Sequence, residues 1–274
     1  MKFKLLLIII GLMLCTPVIA KNDTTSENYL KNRKHFSILN PFAECAAQKF
    51  IKKSLQKETN GKLKVKFDGN TLSSMKKGVF KNLEFSGKNL TIDGIEVPYL
   101  KIKSISDYNW IDYKQKPLVV KTDMNYAYEI HLSENSINAA LNEKEYRKTL
   151  NKVNNIAYPL FTINDVDIKI RNDKFYMIVY YNFPISPAKK DKTFVFSTGF
   201  KVEDNKILTS NINIDKSYGN IQTNKVSNLI NLLDPLSFTL NFIDDKKCKA
   251  RVENVKIVDN IVQVSGKIYV KGEG

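Results

Sequence analysis

Residues 124–141, MNYAYEIHLSENSINAAL, contain both of the patterns from which we predict the fold. Its first nine residues alternate between apolar and polar side chains, which is typical of a β-strand with one buried face and one face in water. Ser133 follows, with Glu134 directly after it, and this pair predicts the N-terminus of an amphipathic helix. A strand that continues into a helix, each with one apolar side, predicts an α+β fold in which sheet and helices share a core.

The rest of the chain repeats these two patterns. Alternating segments predict strands at residues 63–67, 79–85, 90–92, 97–105, 175–183, 193–202 and 238–242. Asn or Asp pairs at residues 172–173, 204–205 and 259–260 predict three hairpins, because these residues tolerate the positive φ angles of tight turns. Helices are predicted from Pro41 to the Asn60-Gly61 stop, at residues 134–153, and at residues 224–234 before Pro235. The first helix is predicted to bury Phe42, Ala43, Ala46, Ala47, Phe50, Ser54 and Leu55.

The first twenty residues have the pattern of an export signal. A short positive segment precedes an apolar run over residues 5–14, and small residues at positions 18 and 20 fit cleavage after Ala20. Such a run is about 15 Å long as a helix, about half of a hydrocarbon core, so an uncleaved anchor is one alternative and a lipoprotein with its lipid on Cys15 is another. We expect an exported protein of the periplasm or cell envelope, with a flexible polar arm at residues 21–39 and a single domain at residues 40–274.

The chain of 274 residues is strongly basic, with 43 Lys and Arg against 28 Asp and Glu and a formal net charge of +15. Its hydrophobic content of 43% predicts a packed core and excludes a disordered chain. Nearly all the basic residues are Lys, and an exported chain with few Arg is a poor binder of nucleic acid. The surface therefore predicts either contact with anionic lipid headgroups or an ordinary solvated face. The lysines expected to touch headgroups are Lys49, Lys52, Lys53, Lys62, Lys64 and Lys66.

Residues 175–183, FYMIVYYNF, are apolar or aromatic on both faces of the predicted strand. The next segment adds Phe194, Phe196 and Phe200 on one face. A strand with one face in water alternates, so this strand is predicted to be covered on both faces. A core helix is one cover, and the other is a second sheet, a partner or an apolar ligand.

No catalytic or metal-binding pattern is present in the sequence. The chain has only two His, and no spacing of His, Cys or carboxylates suits a zinc site. Asp165 and Asp167 project from one strand face about 7 Å apart, and with Lys169 beside them they predict a solvated stripe rather than a pair of catalytic acids. We therefore expect no enzyme and no cofactor. Cys45 and Cys248, the cysteines left after signal removal, predict either a disulfide or two buried thiols.

Three segments share a pattern of glycines, apolar positions and polar residues with a known family. They are KKGVFKNLEFSGKNLTIDGIEVPYLKIKS at residues 76–104, IHLSENSINAALN at residues 130–142, and NLINLLDPLSFTLNF at residues 228–242, before the closing VENVKIVDNIVQVSGK hairpin. Together they resemble the LmeA-like phospholipid-binding family of exported bacterial proteins, formerly a domain of unknown function, over residues 43–274.

That family is similar to the tubular lipid-binding (TULIP) superfamily. The resemblance implies a long curled antiparallel β-sheet that wraps around one or two amphipathic helices and leaves an apolar groove for acyl chains. It also implies which residues of this chain line that groove: Phe175, Met177, Val179, Tyr181, Phe183, Phe194, Phe196 and Phe200.

Two functional hypotheses follow. In the first, the chain is a phospholipid-binding protein that holds acyl chains in the groove, touches membranes with its lysines, and serves lipid transport or envelope biogenesis. In the second, it is a non-enzymatic envelope scaffold or interaction protein with a filled core. A continuous apolar cavity of several hundred Å³ is expected of the first, and a solid interior of the second.

Overall fold

The computed structural model describes residues 40–92, 94–112, 115, 119–184, 192–214, 228, 231, 233, 235–240 and 248–273. The predicted signal peptide at residues 1–20, with Cys15, and the predicted arm at residues 21–39 lie outside these ranges. The described residues have the predicted α+β fold, and their sheets are antiparallel.

The described ranges contain five helices and thirteen strands. The helices are α1 (Asn40–Glu58), α2 (Leu72–Lys76), α3 (Glu134–Leu141), α4 (Lys144–Ala157) and α5 (Pro235–Leu240). The strands are β1 (Asn60–Asp68), β2 (Val79–Phe80), β3 (Asn82–Ile92), β4 (Ile95–Ser104), β5 (Asn109–Asp112), β6 (Val119–Val120), β7 (Met124–Leu132), β8 (Thr162–Arg171), β9 (Lys174–Asn182), β10 (Lys192–Glu203), β11 (Lys206–Ile214), β12 (Cys248–Val258) and β13 (Ile261–Val270).

The strands form three sheets rather than one long sheet. A six-stranded sheet has the order β1-β3-β4-β7-β13-β12, a four-stranded sheet has the order β11-β10-β9-β8, and a small sheet joins β2, β5 and β6. Strand β7, predicted with these bounds, lies in the interior of the six-stranded sheet, and the five large apolar side chains on its inner face are all buried. The three predicted hairpin turns are confirmed, because each Asn or Asp pair adopts φ angles between 50° and 61°.

Helix α3 holds the two larger sheets together. Its N-cap Ser133 exchanges hydrogen bonds with Ser136 in a capping box, and its buried residues face strands of both sheets. The side-chain amide of Asn138 donates to the carbonyl of Ile168 at 2.9 Å and accepts from the amide of the same residue at 2.8 Å. The apolar faces of both sheets thus form one continuous core around this helix.

The helix predicted at residues 134–153 is two helices. It breaks at Asn142, and Glu143 has extended backbone angles before α4 begins. Leu141 and Tyr146 are both buried, although five positions along one continuous helix would turn them about 140° apart. The break lets both apolar stripes face the core.

Two other predictions from the sequence were wrong. Residues 238–240 were predicted as strand but belong to α5, which begins at Pro235, because the first position of a helix needs no backbone N–H. Leu236 and Leu240, one helical turn apart, are buried there. Residues 79–92, predicted as two strands split near Gly87, instead divide at Lys81 into β2 and β3. Of the predicted helix at residues 224–234, most lies outside the described residues.

Candidate functional site

The eight residues predicted to line a groove lie mostly in the closed core. The register of the four-stranded sheet places Phe194 opposite Val179 and Phe196 opposite Met177, so these side chains share one face. Together with Phe175 they are at most 8% exposed, and three of the five are 1% exposed or less. Neighbouring protein atoms therefore cover these five side chains, which belong to the core of the described residues. Their contact with a lipid stays a prediction.

The other three predicted residues lie at the margin of that core. Tyr181 and Phe200 are half-buried, and the Phe200 ring packs edge-on against Phe175 with centroids 4.9 Å apart. Phe183 is 40% exposed beyond the end of β9, and Lys192 Nζ lies 4.8 Å from the centre of its ring. Apolar surface is thus open to a ligand at the end of the strand, not along it.

The opposite face of β8 and β9 forms an open polar concavity of about 500 Å³. Its Asp165 and Asp167, the predicted carboxylate pair, both have basic neighbours: Arg147 Nη1 lies 3.2 Å from Asp165, and Lys169 Nζ lies 3.5 Å from Asp167. Carboxylates held in exposed ion pairs form a solvated stripe, as predicted from the sequence. The concavity is lined by Asn138, Asn142, Asn164, Asp165, Val166, Asp167 and Tyr180.

Glu134 is the best-connected carboxylate near this stripe. It accepts hydrogen bonds from the amide of Ile170 at 3.0 Å, from Lys169 Nζ at 3.1 Å and from Arg171 Nη1 at 2.7 Å. Burial alone would raise the pKa of this carboxyl, but these hydrogen bonds and the Lys169 charge outweigh it and lower the pKa. Glu134 therefore fixes the start of α3 to β8, which is a structural role.

The outer face of the six-stranded sheet carries the largest charge imbalance described. Cross-strand pairs such as Lys62 with Lys88 and Gln263 with Lys256 show that the charged rows of all six strands share this side. Ten basic residues stand against Asp68, Glu84, Glu96, Glu129 and Glu253, so the net charge is +5. We call this surface the basic face, and its basic residues are Lys62, Lys64, Lys66, Lys88, Lys101, Lys103, Lys249, Arg251, Lys256 and Lys267.

Only part of the basic face was predicted. Lys62, Lys64 and Lys66 are exposed on one side of β1, as their alternation indicates. The lysines of β4, β12 and β13 join them through strand pairing, and the strand order of this sheet is not readable from the sequence. The sequence does contain one signal for this surface, which is the number of lysines at the polar positions of each alternating segment.

Helix α1 borders this surface and exposes two aromatic rings. Its Gln48 donates to the carbonyl of Phe67 at 3.3 Å, so the helix lies along the open edge of β1. Phe42 and Phe50 were predicted to be buried, but they are 72% and 43% exposed. Burial is confirmed for Ala47, Ser54 and Leu55, and Ile51 joins them in the stripe that packs on the sheet.

The exposed side of α1 combines these rings with positive charge. Lys49, Lys52 and Lys53, predicted to contact headgroups, are all exposed. Phe42 and Phe50 are eight residues apart, about two helical turns, and therefore point to the same side of the helix. Apolar rings next to lysines are the composition of helices that bind at a membrane surface.

Cys45 and Cys248 do not form the predicted disulfide. Cys45 is exposed on α1, beside the β1 edge of the six-stranded sheet, whereas Cys248 is buried at the start of β12, the strand at the opposite edge. The alternative of two buried thiols is therefore correct for Cys248 only.

No family model, no curated protein and no solved structure matches this chain. The resemblance to the LmeA-like family stays a prediction. Within the ranges described, no helix is both long and apolar enough to cross a bilayer, and no three His, Cys, Asp or Glu side chains lie close enough together to hold a metal ion.

Proposed function

We propose that this chain is a non-enzymatic phospholipid-binding protein of the cell envelope that binds the surface of anionic membranes. The observation that carries the proposal is the basic face, with its net charge of +5 on one side of a six-stranded sheet. Export rests on the signal pattern at residues 1–20, and a TULIP-like wrap of sheet around helix belongs to the same proposal. The contacts of helix α3 with strands of both larger sheets support such an arrangement.

Electrostatics favours a membrane as the partner of this face. Each Lys or Arg near an anionic surface contributes about 1 kcal/mol, so several of them together give measurable binding without a pocket. The basic residues are spread over five of the six strands rather than gathered around one point. A spread of point charges suits a fluid array of headgroups better than a single small anion.

We place the lipid contact on the surface rather than in the groove that the resemblance implied. An acyl chain along β9 and β10 would have to displace packed protein atoms around Phe175, Met177 and Phe196. Opening a packed core costs several kcal/mol for each large side chain that loses its contacts. A headgroup contact at the basic face needs no such opening.

Vesicle flotation tests this function. The protein, purified after export so that any N-terminal processing has occurred, is mixed with vesicles of phosphatidylcholine alone or with about one-third phosphatidylglycerol, a mixture whose charge attracts basic surfaces. We expect binding to the anionic vesicles only, weakening as salt is raised. The triple variant Lys62→Glu, Lys64→Glu, Lys66→Glu should lose this binding.

A matched variant separates a specific face from net charge. Lys174→Glu, Lys201→Glu and Lys206→Glu make the same change of charge at exposed positions of the four-stranded sheet. If both triple variants lose binding equally, the basic face has no special role. If wild type binds neither kind of vesicle, the surface function is wrong. Native mass spectrometry that finds a phospholipid bound one to one would instead favour the groove.

The second hypothesis, an envelope scaffold or interaction protein, is favoured by one observation. The closed core around Met177 is what a protein without a bound ligand requires. In that case the basic face binds an acidic protein or polymer, and anionic vesicles displace that partner poorly. Cross-linking in intact cells through a photoreactive residue at Lys64 distinguishes the two, because a protein partner gives a discrete heavier species and lipid does not.

A further inference from the structure

The end of α4 and the turn that follows it expose three large apolar side chains within five residues. Ile156, Tyr158 and Leu160 are 77%, 67% and 72% exposed. Phe183 lies at the same end of the four-stranded sheet, because the first residue of β8 pairs with the last residue of β9. We call these four residues the apolar tip. Single exposed apolar residues are ordinary, but a cluster of this kind marks a contact site.

The turn that carries the tip is held in place by hydrogen bonds. The Asn154 side-chain amide donates to the carbonyl of Ile163 at 2.8 Å and accepts from the amide of Ile163 at 2.7 Å. The backbone amides of Tyr158 and Leu160 donate to carbonyls three or four residues earlier. The apolar side chains are therefore presented on an ordered turn, and binding requires little loss of conformational entropy.

Two exposed lysines adjoin the tip. Lys152 lies about one helical turn before Ile156, whereas Arg147 and Lys148, nearer the start of α4, form ion pairs with Asp165 and Glu145. Beside Phe183, Lys192 lies over the aromatic ring. This charge argues against a second copy of the chain as the partner, since two tips that meet face to face would bring like charges together.

We propose that the apolar tip inserts into the interfacial region of an anionic membrane, an inference that rests on the proposed function. Apolar side chains flanked by lysines, with a Tyr among them, have the composition of segments that enter the boundary between headgroups and acyl chains. The tip adds a contact that depends on apolar burial, whereas the basic face depends on charge. The two therefore differ in their response to salt.

Substitution of the tip tests this inference. The variant Ile156→Ser, Tyr158→Ser, Leu160→Ser changes only exposed side chains, so it should fold like wild type. We expect its affinity for anionic vesicles to fall roughly 100-fold, the product of three lost interfacial apolar contacts. In about 1 M salt, where charges are screened beyond about 3 Å, the residual binding of wild type should disappear in this variant.

A matched control and a direct probe complete the test. Ile105→Ser changes an apolar side chain that is 48% exposed elsewhere, and it should leave binding unchanged. A reporter with Trp110→Phe and Tyr158→Trp carries its single indole on the tip, since Trp110 is the only Trp of the chain. Its emission should shift to the blue on anionic vesicles, and brominated lipids should quench it.

The possible results distinguish membrane binding through the apolar tip from membrane binding through the basic face. Blue-shifted, quenched emission together with the loss of salt-resistant binding supports insertion. Emission that stays unshifted on vesicles to which the reporter binds overturns insertion and leaves the surface function standing. A tip variant that binds like wild type at all salt concentrations also overturns insertion alone. Wild type that binds no vesicle overturns both.

Discussion

The six-stranded and four-stranded sheets turn their apolar faces to one core, but their outer faces differ. The outer side of the six-stranded sheet carries many lysines and few carboxylates. The outer side of the four-stranded sheet has Tyr176, Ile178 and Tyr180 in its middle, all half-buried, with Asp167 and Lys169 beside them on β8.

The difference shows that a strand apolar on both faces does not require a second cover such as a ligand. Ile178 pairs with Val195 on one side and Asp167 on the other, so side chains of the same sheet hide part of each other's surface. The prediction that β9 is covered on both faces is confirmed for its inner face. Its outer face is only half-buried.

The largest expected effect tests whether the inner face of the four-stranded sheet is filled. Phe196→Ala should lower the free energy of unfolding by about 3–5 kcal/mol, because a fully buried ring leaves a cavity behind. Phe183→Ala, at an exposed position near the same sheet, should cost less than about 1 kcal/mol. Urea unfolding followed by circular dichroism measures both. Equal, small losses would mean that Phe196 lines an open groove after all.

A second prediction concerns the link between helix α3 and β8. Asn138→Ala removes both side-chain hydrogen bonds to the backbone of Ile168 and should cost about 2 kcal/mol, since buried backbone groups lose their partners. Asn142→Ala, which removes an exposed amide in the same concavity, should cost less than about 0.5 kcal/mol. If the two losses match in urea unfolding, α3 is not fixed to the four-stranded sheet in this way.

The third prediction is a pH dependence at the same junction. The folded-state pKa of Glu134 lies below its ordinary value, so the carboxylate stabilises the fold above the unfolded-state pKa, and this contribution is lost as pH falls through the folded-state value. Glu134→Gln should therefore cost about 1–2 kcal/mol at pH 7, and the difference from wild type should shrink below about pH 4. Urea midpoints measured across this range check it. A difference that stays constant with pH would exclude the charge as its cause.

Prediction from sequence succeeded where a pattern is local. The alternation of β7 and the Ser133 cap gave correct bounds and a correct helix start, since each depends on residues close along the chain. It succeeded only in part at α1: Ala47 and Leu55 are buried as predicted, but Phe42 and Phe50 are exposed, because contact with the edge of β1 selects which side of the helix is covered. The basic face also depends on contacts between strands far apart in sequence, as the pairing of β4 with β7 shows.

The smallest expected change in stability concerns single lysines on the two outer faces. Lys64→Gln and Lys103→Gln, on the basic face, should each change the free energy of unfolding by less than about 0.5 kcal/mol, because both side chains are solvated. Each should nevertheless weaken binding to anionic vesicles by about fivefold, the equivalent of about 1 kcal/mol per lysine. Lys201→Gln, an exposed lysine of the four-stranded sheet, should leave vesicle binding unchanged. An equal loss from Lys201→Gln in flotation assays would mean that lipid responds to the total charge of the protein, and the difference between the two sheets would then carry no functional meaning.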